Sequence, residues 1–300
     1  MTALSERTFA QHTAPILIRP IQPGDVDACG RAAYSAHTSV AAAHNVRCEH
    51  PSVEFSIGMI DNRVKDAHAA GFVAERHGEV VGSVFLNTFP PASIAAIGPL
   101  TVDPAAEGNG AGRQLMQAAL NEAAARHIDS VRLVQSPSHL RSLALYIKLG
   151  FAVREPLVLI EGTPAHQGVP GHTTRAATIG DLPACDEFCT QVHGFARSAE
   201  LKSAIANDAA LVVESAGRLT GYSTGLGFFA HAVGESTDNL KALVDASPGI
   251  MGPGFFVPTR NNELVRWLLD RGFRAQWPAT LMTTGPYQEP AGAFLPSIAF

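Results

Sequence analysis

Residues 100–113 read LTVDPAAEGNGAGR, and this stretch decides the fold. Its first three residues are β-prone, and Pro104 ends that strand because proline cannot donate a ladder hydrogen bond. Glycines alternate at positions 108, 110 and 112, where residues without Cβ let successive backbone N–H groups converge on one point. Apolar residues then recur at helical spacing from Leu115 to Ala123. The stretch therefore predicts a strand, a loop that binds an anion such as a phosphate, and a helix.

Two other interpretations of the glycine loop compete with this one. Three glycines before a helix also occur in a tight turn that binds no ligand. A dinucleotide-binding loop fits less well, because its Gly-x-Gly-x-x-Gly pattern places the third glycine one residue later than here. In dinucleotide-binding proteins the loop also follows its strand directly, whereas here several residues separate the two. In those proteins an acidic residue follows the second strand, whereas none follows the corresponding strand here, Val131 to Gln135. On this stretch alone, the tight turn and the phosphate loop both stay open.

A second motif lies downstream, where residues 143–151 read LALYIKLGF. Together with the glycine loop it resembles the GCN5-related N-acetyltransferase (GNAT) superfamily. The pyrophosphate loop of that superfamily reads Gln/Arg-x-x-Gly-x-Gly/Ala, and a later helix ends in Tyr-x-x-x-Gly-Phe. The resemblance implies an α/β fold with a mixed sheet (α+β). It also implies transfer of the acetyl group of acetyl-CoA to an amine of a small molecule or peptide, by direct attack in a ternary complex.

The resemblance also implies which residues hold the co-substrate and act in the reaction. Tyr146 would protonate the departing CoA thiolate, unless it only fills the core with its hydroxyl at the rim. The Val102 N–H would polarise the thioester carbonyl. Two positions depart from the family, which more often has Asn at His139 and Gln or Arg at Glu107. The implied CoA-binding residues are Leu100, Thr101 and Val102 along the pantetheine arm, Gly108, Asn109, Gly110, Ala111, Gly112 and Arg113 at the pyrophosphate, and His139, Ser142 and Lys148 on the later helix.

Composition limits the classes of protein to which the chain can belong. The 300 residues are 46% hydrophobic and 16% charged, which is enough for a sizeable core and suggests two domains. The net charge of −5 without a basic stripe argues against nucleic-acid binding, and no run of eighteen apolar residues predicts a membrane span. Four cysteines without framework spacing favour free thiols in the cytoplasm. The spacing of His44, Cys48, Glu49 and His50 matches no metal-ligand pattern, so no metal is expected.

The second half of the chain repeats the first in three places. Residues 175–185 align with 19–29 at an offset of 156, residues 211–221 align with 72–82, and the helix ending at Phe273 aligns with the one ending at Phe151. This pattern predicts an internal duplication, with two tandem GNAT-like acyl-CoA N-acyltransferase domains. The expected organisation is a flexible tail at 1–14, a CoA-binding domain at 15–163, a linker at 164–172 and a degenerate domain with an apolar tail at 173–300.

The second copy lacks a glycine loop and has Trp267 at the position of Tyr146. It is therefore expected not to bind CoA, and it could serve the structure, line the acceptor site or form a homodimer. A CoA-binding regulatory or sensor protein without turnover is the alternative function. No ionisable residue lies between Ile94 and Leu100, so the general base is left open. The remaining candidates for the base are a water chain, a histidine of the loop His44 to His50, and the carboxylate of Phe300.

Overall fold

The computed structural model describes residues 15–90 and 94–299. The predicted flexible tail at 1–14 and Phe300 lie outside these residues. The chain divides into two compact units, and their described parts are residues 15–87 with 97–126, and residues 88–90, 94–96 and 127–299. No helix in the described ranges is both long enough and apolar enough to cross a membrane.

The first unit combines antiparallel strands with three helices. Its strands are ordered β1-β2-β3-β4, and β2 joins β3 through the turn at His77 and Gly78, where φ is +54° and +80°. This is the hairpin that the His-Gly pair predicts. The elements are β1 (Leu17–Pro20), α1 (Val26–His44), α2 (Val53–Lys65), β2 (Ala69–Arg76), β3 (Glu79–Thr88), β4 (Ile94–Val102) and α3 (Ala111–Ala125).

The core of the first unit lies where α1 and α2 pack on the strands. Cys29 of α1, Ile60 of α2 and Phe85 of β3 are fully buried in one apolar cluster. Burying a side chain as large as Phe85 stabilises the fold by about 1.5–3 kcal/mol. Gly30 lets the two helices approach closely, because a Cβ there would lie 2.6 Å from the Cα of Ile57. This packing fixes α1 and α2 against the strands.

The second unit begins with β5, which runs parallel to the first residues of β4. The pairs join Ile94–Ala96 to Ser130–Arg132, so β4, α3 and β5 form a strand–helix–strand crossover. The elements are β5 (Ser130–Gln135), α4 (Leu140–Lys148), β6 (Ala152–Glu161), β7 (Thr173–Ala176), α5 (Leu182–His193), α6 (Ser198–Ala206), β8 (Leu211–Ser215), β9 (Arg218–Ser223), β10 (Ala232–Gly234), α7 (Thr237–Ala246), β11 (Phe255–Pro258), α8 (Asn262–Asp270), β12 (Arg274–Thr284) and β13 (Ala293–Leu295).

The element order of residues 17–161, the first repeat, recurs in residues 173–284, the second repeat. Each repeat runs strand, two helices, three strands, helix, strand, helix, strand. The last strands are exchanged: β12 pairs with β5 and β6, and β6 pairs with β11. Because β6 lies between two strands of the second repeat, the compact units divide the chain at residue 126 and not at the end of the repeat. The domain boundaries at 163 and 173 stay a prediction.

Both repeats open with the same ion-pair arrangement. In the first, Arg19 bonds Asp25 at 2.7 Å and Glu75 at 2.9 Å. In the second, Arg175 bonds Asp181 and Glu214 at 2.7 and 2.8 Å. A hydrogen bond from Arg19 lowers the pKa of Asp25, so this carboxylate stays ionised. The repeated triad supports the internal duplication.

Asp25 and the C-terminal tail are each held by backbone hydrogen bonds. Asp25 is the N-cap residue of α1, but its carboxylate accepts the backbone N–H of Gln22 and no N–H of α1. It closes the short 3-10 turn Pro23–Asp25 because the helix proper begins one residue later. The apolar C-terminal tail contains β13, which pairs with β10.

Candidate active site

The glycine loop leads directly into α3, as the sequence predicts. Gly108 and Gly110 both have left-handed backbones, with φ of +84° and +86°. Gly110 is the N-cap of α3, and no side chain caps this helix. The N–H groups of a first helical turn have no intrahelical acceptor, so those of Ala111, Gly112 and Arg113 are directed out of the helix end. The loop thus presents converging donors at the positive end of a helix, which suits an anion.

Neighbouring side chains leave the space above this loop open. A Cβ built on Gly110 would meet only the Nε2 of Gln114, at 3.9 Å. The side-chain amide of Asn109 folds back and donates to the carbonyls of Ala106 and Glu107, at 3.3 and 3.4 Å. Asn109 therefore stabilises the turn with its side chain and can offer a ligand only its backbone. Arg113 is exposed in the first turn of α3, where a cation favours a phosphate.

The end of β4 offers one backbone edge beside this loop. The Asp103 N–H donates to the Val81 carbonyl at 2.8 Å, on the side of β3. Because successive N–H groups of an extended strand alternate in direction, the Val102 N–H points to the opposite edge. The neighbouring Thr101 is buried, and its hydroxyl lies 3.5 Å from that of Ser83. The edge residues Leu100 to Val102 are therefore held rigidly from the β3 side.

The other predicted residues lie in the second unit, on α4. Tyr146 is only 8% exposed, and its ring packs edge-on against Phe151. Burial raises the pKa of Tyr146 to about 12, although a hydrogen bond from Ser142 opposes that shift. The Ser142 hydroxyl also lies 2.6 Å from Nδ1 of His139. His139, Ser142 and Tyr146 thus share one face of the helix, while Lys148 is exposed in its last turn.

The apolar side chains of this helix do not form its buried face. Leu140 is 68% exposed and Ile147 is 56% exposed. The buried residue of this helix is Tyr146, one position away from Ile147. Helical periodicity located the helix but not the side that is buried.

A histidine pair joins α1 to the loop before α2 in the first unit. The rings of His37 and His50 stack at 3.8 Å between centroids, with 16° between their planes. Nδ1 of His50 lies 2.8 Å from the Ser56 hydroxyl, which itself donates to the Ser52 carbonyl at 3.2 Å. Ser56 has only one hydroxyl proton, so His50 donates from Nδ1, and its Nε2 is the unprotonated nitrogen.

Burial sets the protonation of these groups. It lowers the pKa of His37 to about 3 and that of His50 to about 4, so both rings are neutral at pH 7. It raises the pKa of the neighbouring Glu49 carboxyl to about 7. The sequence pointed to His50 but not to His37, because a helix and a loop separate them and no spacing rule links them. Among the described residues, no group of three or more His, Cys, Asp or Glu side chains could hold a metal ion.

The corresponding helix of the second repeat begins differently. Ser236 accepts the Asn239 N–H with its hydroxyl, and the Asn239 side chain accepts the Ser236 N–H at 2.9 Å. This reciprocal box uses the donors of the first turn of α7. At the end of α8, Trp267 contacts the Arg271 guanidinium 4.1 Å from its ring centre and has no acidic hydroxyl.

Comparisons with known proteins agree with this geometry. A region of mycothiol acetyltransferase from Amycolatopsis mediterranei is 34% identical over 91 residues, which cover 28% of this chain and 30% of that protein. The chain therefore matches less than a third of the length of this curated relative. Over its whole length it resembles the crystal structure of a proposed acetyltransferase from Pyrococcus horikoshii, with a TM-score of 0.73, 16% identity and 99% of that chain covered.

A GCN5-related N-acetyltransferase from Sphaerobacter thermophilus is similar in fold, with a TM-score of 0.62 at 14% identity over 94% of this chain and 100% of that one. At such identities the two structures establish the fold, a mixed α/β architecture with two sheets. Residues 39–151, which hold the glycine loop and Tyr146, match the family model described as the acetyltransferase (GNAT) family. Residues 39–151 of the chain are therefore similar to the GNAT acetyltransferase family.

Proposed function

We propose that this chain is an acetyltransferase that moves the acetyl group of acetyl-CoA to an amine of a small molecule or peptide. The observation that carries the proposal is the N-terminus of α3. There, left-handed glycines replace a side-chain cap, within the segment that matches the family. Acetyl-CoA, as co-substrate, supplies the activated acetyl group. The residues of the chain bind and orient acetyl-CoA and transfer protons during the reaction.

The cradle fits a pyrophosphate by its shape and by its charge. The nearest side-chain atom to a Cβ on Gly110 lies 3.9 Å away, so phosphate oxygens can approach the N–H groups. The helix dipole and Arg113 both favour a negative group at this end. Gly108, Asn109, Gly110, Ala111 and Gly112 contribute backbone, and the left-handed conformation of two of them keeps the loop tight.

The free edge of β4 suits the pantetheine arm, whose amides can pair with the strand as an added strand would. The Val102 N–H points to that edge and donates to the thioester carbonyl, where negative charge develops during attack. Leu100 and Thr101 position it. This arrangement accelerates the reaction because the donor is held in place before the charge appears.

Tyr146 donates a proton to the leaving thiolate. Its raised pKa keeps the phenol protonated at neutral pH, as a proton donor requires. His139, Ser142 and Lys148 belong to the same helix, and Nδ1 of His139 lies 2.6 Å from the Ser142 hydroxyl.

The carboxylate of Glu75 in β2 does not fit the role of general base. Glu75 is held by Arg19, as Glu214 is by Arg175 in the second repeat, which favours a structural role for both. The acceptor therefore reacts as the neutral amine, with the proton leaving through water or through His50. The Phe300 carboxylate lies outside the described residues.

An amine screen tests the function. Whole protein with saturating acetyl-CoA is supplied with amino acids, amino sugars, aminoglycoside antibiotics, polyamines and peptides, and thiol release is measured. We expect at least one amine to increase the release of CoA thiol, with one thiol released for each amine that is acetylated. Binding of CoA without turnover of any amine would instead favour a regulatory or sensor protein.

A further inference from the structure

A tyrosine that follows β12 contacts two arginines of the sheet in the second unit. The guanidinium carbons of Arg132 in β5 and Arg154 in β6 lie 5.2 and 5.1 Å from the centre of the Tyr287 ring. Arg132 is 2% exposed, whereas Arg154 and Tyr287 are partly exposed. The Tyr287 hydroxyl itself is buried and has no hydrogen-bond partner among the described residues. The cluster therefore borders solvent and holds one polar atom that the fold does not satisfy.

Packing accounts for the ring of Tyr287 but not for its hydroxyl. A phenylalanine at this position would make the same two cation–π contacts. A buried hydroxyl without a partner destabilises a fold, so its presence calls for an explanation. Burial raises the pKa of Tyr287 to about 12, and the phenol therefore keeps its proton at neutral pH. The hydroxyl is available to donate to an acceptor that comes from outside the described residues.

The charged side chains around Tyr287 leave a net positive charge. Both oxygens of the buried Glu155 carboxylate accept a hydrogen bond from Nε of Arg260 at 3.0 Å, so this carboxylate is already engaged. Arg260 also lies 3.4 Å from Glu289. Together with the two arginines at the ring, the group contains three cations and two anions. A ligand with one negative charge would neutralise it.

Arg154 is positioned to bind such a ligand. Its Nε donates to the Thr283 hydroxyl at 2.8 Å, which orients the guanidinium and leaves the two terminal nitrogens to donate elsewhere. A carboxylate accepts hydrogen bonds at two oxygens in one plane, and it carries a single negative charge. A phosphate group carries closer to two charges, which exceeds the net charge of the cluster. The cluster therefore favours a carboxylate.

We infer that Arg154 and Tyr287 form a binding site for the carboxylate of a small anionic ligand. The Tyr287 hydroxyl donates to one oxygen and the terminal nitrogens of Arg154 donate to the other, while Arg132 adds buried positive charge. The carboxylate belongs either to the amine acceptor, a case that rests on the acetyl transfer proposed above, or to a separate ligand that is not acetylated. Neither the glycine loop nor α4 takes part in this site.

Carbon-13 NMR of the whole protein labelled at tyrosine Cζ tests the site, because the chain contains four tyrosines and Tyr287→Phe identifies the signal of Tyr287. Acetate should shift that signal to saturation, whereas acetamide, its neutral isostere, should not at the same ionic strength. Arg154→Gln should weaken the acetate affinity about tenfold or more. Arg274→Gln, which removes an exposed arginine of β12, is the control and should bind acetate as the wild type does. No shift with acetate, or an equal shift with acetamide, would overturn the site.

Thermal unfolding distinguishes this site from a hydroxyl that binds a structural water. Without ligand, Tyr287→Phe should unfold at the Tm of the wild type or above it, because it loses only a buried hydroxyl and keeps the ring. Acetate should raise the Tm of the wild type but not that of Tyr287→Phe. A lower Tm of Tyr287→Phe without ligand would indicate a structural water and contradict the carboxylate site.

Matched amines distinguish the two sources of the carboxylate. The best amine of the screen is compared as an analogue with a carboxylate and as one with the corresponding primary amide. If the acceptor carries the carboxylate, the acid should have a kcat/KM about tenfold higher or more, and Tyr287→Phe should remove this preference. Equal values together with the acetate shift would assign the site to a separate ligand. If no amine is acetylated, the proposed function fails, and the NMR shift alone decides the carboxylate site.

Discussion

Gly110 and Ser236 begin corresponding helices of the two repeats, and only Ser236 caps its helix with a side chain. A cap of this kind satisfies first-turn N–H groups that would otherwise bind a ligand. In the first repeat those groups remain directed at the loop opening. The two N-caps therefore separate a repeat that is suited to bind a pyrophosphate from one that is not.

One CoA should therefore bind per chain. Isothermal titration of the whole protein with CoA is expected to give a stoichiometry near one, since α3 begins without a side-chain cap and its counterpart α7 begins with one. Ser236→Gly alone should not create a second site, because the second repeat also lacks the glycine loop. A stoichiometry near two would show that the second repeat binds CoA despite its cap.

Tyr146→Phe should lower kcat roughly ten- to a thousandfold and leave CoA affinity nearly unchanged. The substitution removes the hydroxyl and keeps the ring that packs on Phe151, so the fold should persist. Steady-state kinetics with calorimetric CoA binding measure both effects. A kcat equal to that of wild type would mean that the tyrosine only fills space.

Glu75→Gln and Glu79→Gln should each retain kcat within about tenfold, because neither carboxylate acts as the base. Glu75→Gln is expected to lower the thermal stability, because it leaves Arg19 with Asp25 as its one remaining ion-pair partner of the two. The rate at saturating acetyl-CoA should rise with pH as the neutral fraction of the amine rises. A loss of more than about a hundredfold in either variant would identify a carboxylate base after all.

The stacked histidines should make the protein sensitive to acid. Their pKa values in the folded state, about 3 for His37 and about 4 for His50, lie below the ordinary value of 6.5. The unfolded chain therefore binds more protons between these values, and the free energy of unfolding falls as the pH drops from 6.5 toward 3. Urea unfolding at several pH values should show this fall.

The double variant His37→Gln/His50→Gln should lose less stability on the same acidification than the wild type. His77→Gln, at the exposed turn between β2 and β3, is the control and should fall as the wild type does. An identical acid dependence in the double variant and the wild type would remove the histidine pair as its cause.

Most of the fold could be predicted from residues that constrain the backbone locally. The glycines at 108, 110 and 112 and the stop at Pro104 located the loop and its helix, because their backbone constraints act within a few residues. The repeat pattern likewise matched the order of elements in both halves. The exchange of β6 and β12 was not foreseen, since pairing between distant strands depends on contacts that no local spacing encodes.

The candidate site was predictable only in part for the same reason. Residues on one strand, loop or helix could be named from the motif, including His139 and Ser142. Their hydrogen bond could have been inferred from the i, i+3 spacing, whereas the stacking of His37 on His50 could not. The exposure of Leu140 and Ile147 could not be inferred from the sequence either, because amphipathic spacing does not decide which face of a helix a tertiary contact covers.

The most direct test replaces Gly110, where the loop becomes helix. Gly110→Asp places a carboxylate and a Cβ in the left-handed position beside the α3 donors, where a phosphate would be repelled. Gly78→Asp is the matched control, because Gly78 has nearly the same φ, +80°, and open space around it at an exposed turn. CoA binding and amine-dependent thiol release are measured for both. The account predicts that Gly110→Asp loses both while Gly78→Asp keeps both, and normal CoA binding by Gly110→Asp would contradict it.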